Sequence, residues 1–193
     1  MRALVLVCSL KKSPAPSSSE LLGREILAAL ADHDVDGEVI RVVDHDVKYG
    51  VTADEGSGDA WPSIRTKLLG SDILVIATPI WMGQPASVCK VVLERLDAEI
   101  SESTMYGKVA VVGVVGNEDG AHHVTAEVYQ ALNDVGFTVP AAGGTYWVGE
   151  AMGKVDYADA GPKPDTTGTA TKTLAANAAH LAKLLNDSPY PSS

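Results

Sequence analysis

Apolar residues follow two rhythms along this chain. Short unbroken runs, rich in β-branched residues, occupy positions 3–7, 73–77 and 109–115. Runs of that kind read as strands buried on both faces, the habit of a parallel sheet. Between them, apolar residues recur every four positions: Leu22, Ile26 and Leu30; Val88, Val92 and Leu96; Val124, Val128 and Leu132; Leu174, Ala178, Leu181 and Leu185. That spacing lines one face of a helix. The patterns predict strands over 2–8, 38–43, 73–77, 108–115 and 137–142. They predict helices after the serines at 17–19, over about 61–69, after Pro85, from near Ala121, and over 169–185. Gly136 suits the position just past a helix end.

The order βαβαβαβαβα implies an α/β fold. The expected architecture is a doubly wound, five-stranded parallel sheet with helices on both faces and strand order 2-1-3-4-5. Residues 1–186 form one domain in this reading, and 187–193 a frayed tail. The length, 193 residues, suits a single core. Residues 44–59 and the stretch from Val148 to Asp165 carry no period and exceed usual loop lengths.

Composition narrows the class. Hydrophobic residues make up 46% and charged residues 21%, as in a soluble globular protein. No apolar run is long enough for a membrane span, and the opening M-R-A-L-V-L-V-C-S-L reads as the first core strand of a cytoplasmic protein. The formal net charge of -10 argues against a nucleic-acid partner. Cys8 and Cys89 stand in apolar contexts without metal or redox spacing, so buried free thiols are expected.

Candidate chemistry collects at the carboxyl ends of the strands, where open α/β sheets bind ligands. After strand one comes S-L-K-K-S-P-A-P-S-S-S. It reads either as a polar turn ending in a helix cap or as a phosphate site built on a helix N-terminus. Ser17 and Glu20 make a capping box. A capping Ser17 competes with an anion for the same N–H groups, which favours Ser18 and Ser19 for phosphate contact. No G-x-G-x-x-G or G-x-x-x-x-G-K-[ST] is present, which disfavours a dinucleotide fingerprint and a Walker loop. After strand three, T-P-I-W-M-G-Q-P places Trp81 and Gly83 beside a central strand. After strand four, G-N-E-D-G-A-H-H spans 116–123, and G-G-T-Y-W spans 143–147. His122 and His123 are adjacent on a helix and point about 100° apart, so they do not chelate from one face and no metal site is expected. Strand order brings the serine loop and the T-P-I-W-M-G loop to one crevice, polar at one end and flat and aromatic at the other. A phosphorylated planar cofactor fits that shape.

On these motifs the chain resembles the flavodoxin-like NADPH-dependent FMN reductase family, which is related to the multimeric flavodoxin-like quinone reductases. The serine loop is similar to the family's phosphate loop, with C-S-L-K-K-S where many members have G-S-x-R. T-P-I-W-M-G-Q-P resembles its T-P-x-Y-x-G-x-x-P loop, and G-N-E-D-G-A-H-H its third flavin loop. The resemblance implies FMN as cofactor and NAD(P)H as co-substrate. It implies that Ser9, Lys11, Ser17, Ser18 and Ser19 hold the phosphate. Pro79, Ile80, Trp81, Met82 and Gly83 would support one side of the ring, with N–H donors near Met82 and Gly83. Asn117, Glu118, Asp119 and Gly120 would edge the other side. His122 and Tyr146 are the candidate catalytic residues, His122 acting electrostatically near the ring and Tyr146 capping a second-substrate pocket together with Trp147.

The implied function is an oxidoreductase passing electrons from NAD(P)H to a quinone, a flavin or a similar small-molecule acceptor. It would be a homo-oligomer, dimer or tetramer, with 101–106 and 148–164 as candidate contacts. The rival reading is a flavodoxin-type FMN electron-transfer protein that does not turn over NAD(P)H.

Overall fold

The computed structural model describes residues 1–162 and 164–191. The described residues form six strands and five α-helices, in the order β1 (Arg2–Val7), α1 (Ser18–Ala31), β2 (Asp36–Arg41), α2 (Trp61–Leu69), β3 (Ile73–Trp81), β4 (Gln84–Pro85), α3 (Ser87–Arg95), β5 (Val109–Gly116), α4 (Ala121–Val135), β6 (Gly144–Val148) and α5 (Asp165–Asp187). The parallel strands lie in the order β2-β1-β3-β5-β6, while the two-residue β4 folds back antiparallel on the end of β3. With that hairpin set aside, this is the expected order 2-1-3-4-5 in a flavodoxin-like α/β sheet.

Alternation along each strand sorts the core into two layers. Leu4, Leu6, Leu74, Ile76, Ala110 and Val112 face α2, α3 and α4. Val5, Val7, Val75, Ala77, Val109 and Val111 face α1 and α5. Helix α1 crosses very close to the sheet. A Cβ on Gly23 would lie 2.9 Å from Val5 Cγ1, and one on Gly113 would lie 2.8 Å from Ile26 Cδ1. This close seat holds the start of α1, and the serines there, over the carboxyl ends of β1 and β3. Both cysteines are buried and free.

Strand β3 runs on through Pro79 to Trp81, past the expected stop. The ladder explains why proline is tolerated. Ala77 O accepts from Cys8 N, where β1 ends. Pro79 faces the same side, two residues further on, where β1 no longer runs, so its missing N–H breaks no bond.

The last strand is displaced from its expected place. Residues 137–142 hold a single bridge, Val109 to Thr138. Pro140 then opens a turn closed by Gly143 N donating to Pro140 O. The chain rejoins β5 at Gly144, so G-T-Y-W-V, read in part as a loop, is the strand. Proline supplies no donor to a ladder, and the apolar character of 137–142 reflects burial of Phe137 instead. The Tyr190 ring packs edge-on against Tyr106 at 6.3 Å, and its hydroxyl lies 3.0 Å from Thr138 Oγ1. Ser192 and Ser193 lie outside the described residues.

Candidate active site

A cavity of about 410 Å³ opens at the carboxyl ends of β1, β3 and β5. Its polar end is the serine loop. Ser9 Oγ accepts from Lys11 N at 3.2 Å and turns the chain out of β1. Arg41, at the end of β2, donates to Lys11 O and Ala15 O and pairs with the Glu20 carboxylate, stapling the loop to the sheet. Ser17 Oγ caps α1 by accepting from Glu20 N at 3.2 Å. The reciprocal half of the capping box is not made, because Glu20 turns to Arg24 and Arg41 instead. The first N–H groups of α1, on Ser18 and Ser19, have no acceptor within the helix, and both residues line the cavity. Ser13 faces away from it and donates from N and Oγ to Asp44. Those bonds hold the Asp44 carboxyl below its usual range.

The other end is the β3–β4 hairpin and the loop after β5. Met82 and Gly83 form the hairpin tip with φ of 53° and 73°, both left-handed. Their N–H groups donate to the two carboxylate oxygens of Glu118, each at 3.0 Å. Gly83 and Gly120 touch backbone to backbone, and a Cβ on Gly120 would stand 2.9 Å from Gly83 Cα. Trp81, half exposed, and Ile80 wall the cavity here.

A third wall comes from 149–157. Asn117 organises it: its O accepts from Met152 N at 2.8 Å, and its Nδ2 donates to Gly153 O at 3.3 Å and to Asp156 Oδ1 at 3.2 Å. Asn117 Oδ1 is buried with no partner among the described residues. Further along, Ala158 N donates to Ser18 Oγ at 3.2 Å, tying this wall to the serine loop. Tyr157 packs on Trp147, rings 5.5 Å apart, and its hydroxyl donates to Glu25. Burial and the Glu25 carboxylate push its phenol well above the usual range, so it stays protonated.

Of the expected residues, Ser9, Lys11, Ser17, Ser18, Ser19, Pro79, Ile80, Trp81, Asn117 and Glu118 line this cavity together. Met82, Gly83, Asp119 and Gly120 are not among the residues that line it. Asp119 is exposed, and its Oδ1 accepts from Gly120 N at 2.8 Å. His122 and Tyr146 are brought to each other, His122 Nε2 lying 3.2 Å from the Tyr146 hydroxyl and the rings standing at 87°. They are not among the residues lining the cavity. Their neighbour Trp147 is. Trp147, Met152, Gly153, Asp156 and Tyr157 are wall residues outside the predicted phosphate and ring set. The signal that finds Trp147 is alternation along β6, where Thr145 and Trp147 are buried while Tyr146 and Val148 face out. His123 turns to Glu127 and Gln84, away from His122.

The sequence profile of the NADPH-dependent FMN reductases matches residues 1–153. The chain belongs to the NADPH-dependent FMN reductase family. Membership supports FMN and NAD(P)H as its cofactor pair and a flavin-dependent oxidoreductase as its type. The chain is 33% identical to the 8-demethyl-8-aminoriboflavin-5'-phosphate synthase of Streptomyces davaonensis, over 98% of this chain and 80% of that protein. It is also 34% identical to a Mycobacterium bovis protein named divalent metal cation transporter MntH, over 96% of this chain but 29% of that protein. Among solved structures, RosB with bound 8-demethyl-8-formylriboflavin-5'-phosphate superimposes with a TM-score of 0.88 at 32% identity, covering 98% of this chain and 82% of that one. The apo NADH:FMN oxidoreductase EMOB shares the fold at a TM-score of 0.67 and 18% identity, covering 95% and 89%. No described helix of this FMN reductase family member is long and apolar enough to cross a membrane.

The cavity fits FMN on its own chemistry. At one end it offers serine hydroxyls and the helix N–H groups of Ser18 and Ser19, which the Ser17 cap leaves without an acceptor in the helix. At the other, a pair of backbone donors already holds an acceptor. Trp81, Trp147 and Tyr157 supply aromatic walls.

Proposed function

We propose that the chain binds FMN in this crevice and passes electrons from NAD(P)H to a small-molecule acceptor such as a quinone or a free flavin. The observation that carries the reading is one cavity lined at one end by the start of α1 with Ser18 and Ser19, and at the other by Trp81 and by Glu118, whose carboxylate holds the N–H pair of Met82 and Gly83. Ser9, Ser17, Ser18 and Ser19 hold the phosphate through hydroxyls and helix N–H groups. Lys11 adds the single cationic side chain among the described lining residues. Because Ser17 and Ser18 use their oxygens as acceptors within the fold, their hydroxyl protons are free to donate outward. Met82 and Gly83 give N–H groups to the ring edge, with Trp81 and Trp147 against it. Bound FMN supplies the redox chemistry, and the protein supplies position, exclusion of water and electrostatics. Trp81, half exposed at the mouth, marks the side from which NAD(P)H and the acceptor enter. His122 and Tyr146 act from outside the cavity wall, at the β6 edge. The proposed assembly is a homo-oligomer, dimer or tetramer, which light scattering in solution tests.

A second reading makes the flavin phosphate a substrate that leaves changed. It is favoured by the 33% identity with a synthase named for a modified riboflavin phosphate.

A visible spectrum after FMN loading and gel filtration comes first, followed by steady-state NADPH oxidation with a quinone. Retained flavin with turnover supports the reductase. Retained flavin without turnover points to an electron carrier, and a flavin of altered mass after incubation points to the second reading. Ser18→Asp with Ser19→Asp places two carboxylates at the proposed phosphate position and is expected to weaken FMN binding by about a hundredfold or more, two charge repulsions at close range. Unchanged affinity would remove the phosphate assignment.

A further inference from the structure

Met82 and Gly83 are successive left-handed residues, and that conformation aims consecutive N–H groups at one point. Such a nest favours an anion or a strong acceptor. Here it holds the Glu118 carboxylate, one oxygen per N–H, both at 3.0 Å. The hairpin does not require this contact to close. Ile80 pairs with Pro85 and Trp81 with Gln84, Ala86 N donates to Thr78 Oγ1, and Gly83 rests on Gly120. Among the described residues no cation pairs with Glu118, so these two amides are the partners recorded for its charge. Glu118 also lines the cavity, so its side chain and a ligand there draw on the same space.

On the reading that the Met82 and Gly83 donors serve the flavin ring, two acceptors want the same two hydrogens. We propose that Glu118 is an internal competitor for the ring: it occupies the Met82–Gly83 nest while the crevice is empty and yields it when flavin enters. A ligand must then bring its own acceptor edge to the nest, which makes Glu118 a specificity-determining residue. A planar phosphate ester without ring acceptors cannot displace it at equal cost. The competition also lowers flavin affinity by the fraction of molecules with the nest open, and so keeps the flavin exchangeable. With a closed-to-open ratio of about ten, the loss in affinity is about tenfold.

Glu118→Gln and Glu118→Ala test this, each checked for an unchanged melting temperature. FMN affinity and association rate are read by quenching of flavin fluorescence. Met82 and Gly83 amide resonances are read in ¹⁵N-labelled, ligand-free protein. Both variants are expected to bind FMN about tenfold more tightly, with the gain in the association rate. The two amide resonances are expected to move in the ligand-free variants, and in the wild type when FMN is added. FMN affinity that is equal or weaker in both variants would overturn the competitor, since Glu118 would then brace the turn or touch the ring. Unmoved amides in the ligand-free variants would overturn it as well. Absence of FMN binding in wild type and both variants would instead sink the flavin reading, and the competitor with it. Binding in the variants alone would be its strongest confirmation.

Discussion

Two irregular segments leave the carboxyl edge of the sheet, 45–60 after β2 and 149–162 after β6, and they are held by opposite means. The first closes on an ion pair with no solvent exposure, Arg95 Nη2 to Asp59 Oδ2 at 2.8 Å. Arg95 also donates to Lys48 O and Thr52 O, and its guanidinium lies 5.7 Å from the Trp61 ring centre. Asp59 accepts from the N–H groups of Lys48, Glu55 and Trp61. Nothing in this segment lines the cavity. The second segment is held by three hydrogen bonds of Asn117, by Ala158 N donating to Ser18 Oγ, and by the buried Tyr157 against Trp147 and Glu25; it exposes Met152 and Val155, yet it forms a cavity wall. Length and lack of period make the two look alike in sequence. The chemistry of the anchor separates them: a buried ion pair fixes a segment remote from the cavity, and hydrogen bonds with one packed tyrosine hold a cavity wall.

The contrast can be broken most forcefully at its rigid side. Arg95→Leu strands the Asp59 charge and two carbonyls, with an expected loss of about 3–5 kcal/mol. For a domain of this size that lowers the melting temperature by roughly 10 °C, while FMN affinity of the folded fraction stays unchanged. A melting point within a degree or two of wild type would mean that the buried pair is not the anchor.

Acid acts on the same pair. Burial alone would raise the Asp59 pKa, but Arg95 and the three N–H donors outweigh it and hold the carboxyl well below the usual aspartate range. A depressed folded value means that the contribution to stability is full above the unfolded pKa of about 3.9. It is lost as pH falls toward the folded value, at up to about 1.4 kcal/mol per pH unit. Denaturation of wild type and Asp59→Asn across that acid window checks it, the variant being expected to lack this component of the slope. Parallel slopes would exclude the pair as the source.

The hydrogen-bonded wall should respond the other way. Asn117→Ala frees 152–156 for about 1 kcal/mol. That shifts the melting temperature by roughly 3 °C and weakens FMN binding about fivefold, as read by fluorescence titration. A large fall in melting temperature with full affinity would reverse the comparison.

Much of the fold was legible because it rests on local pattern. The run Ile73–Ala77 and the four-residue stripes of α1, α4 and α5 carry their burial in their composition. The ten expected residues found together in the cavity follow from strand order alone, since that order fixes which loops meet. The rest depends on distant partners. Arg95 sits in an amphipathic helix where a charge reads as solvent-facing, yet it is wholly buried because Asp59 arrives from another loop. Trp147 and Tyr157 meet over α1 through a segment with no period to read. The strand at 137–142 was misplaced because Phe137 and Val139 look like ladder residues, and only the pairing shows Pro140 leaving it.

That detour at 139–143 acts as a reading frame for the final strand. The distance along the chain between the Thr138 bridge and the return at Gly144 decides which residues of G-T-Y-W-V turn inward. At its present length Trp147 looks toward the cavity and Tyr146 toward His122. One residue more or fewer in the detour exchanges the two sets. Relatives of this chain with a different count there would present a different aromatic to the ligand without any substitution inside the strand.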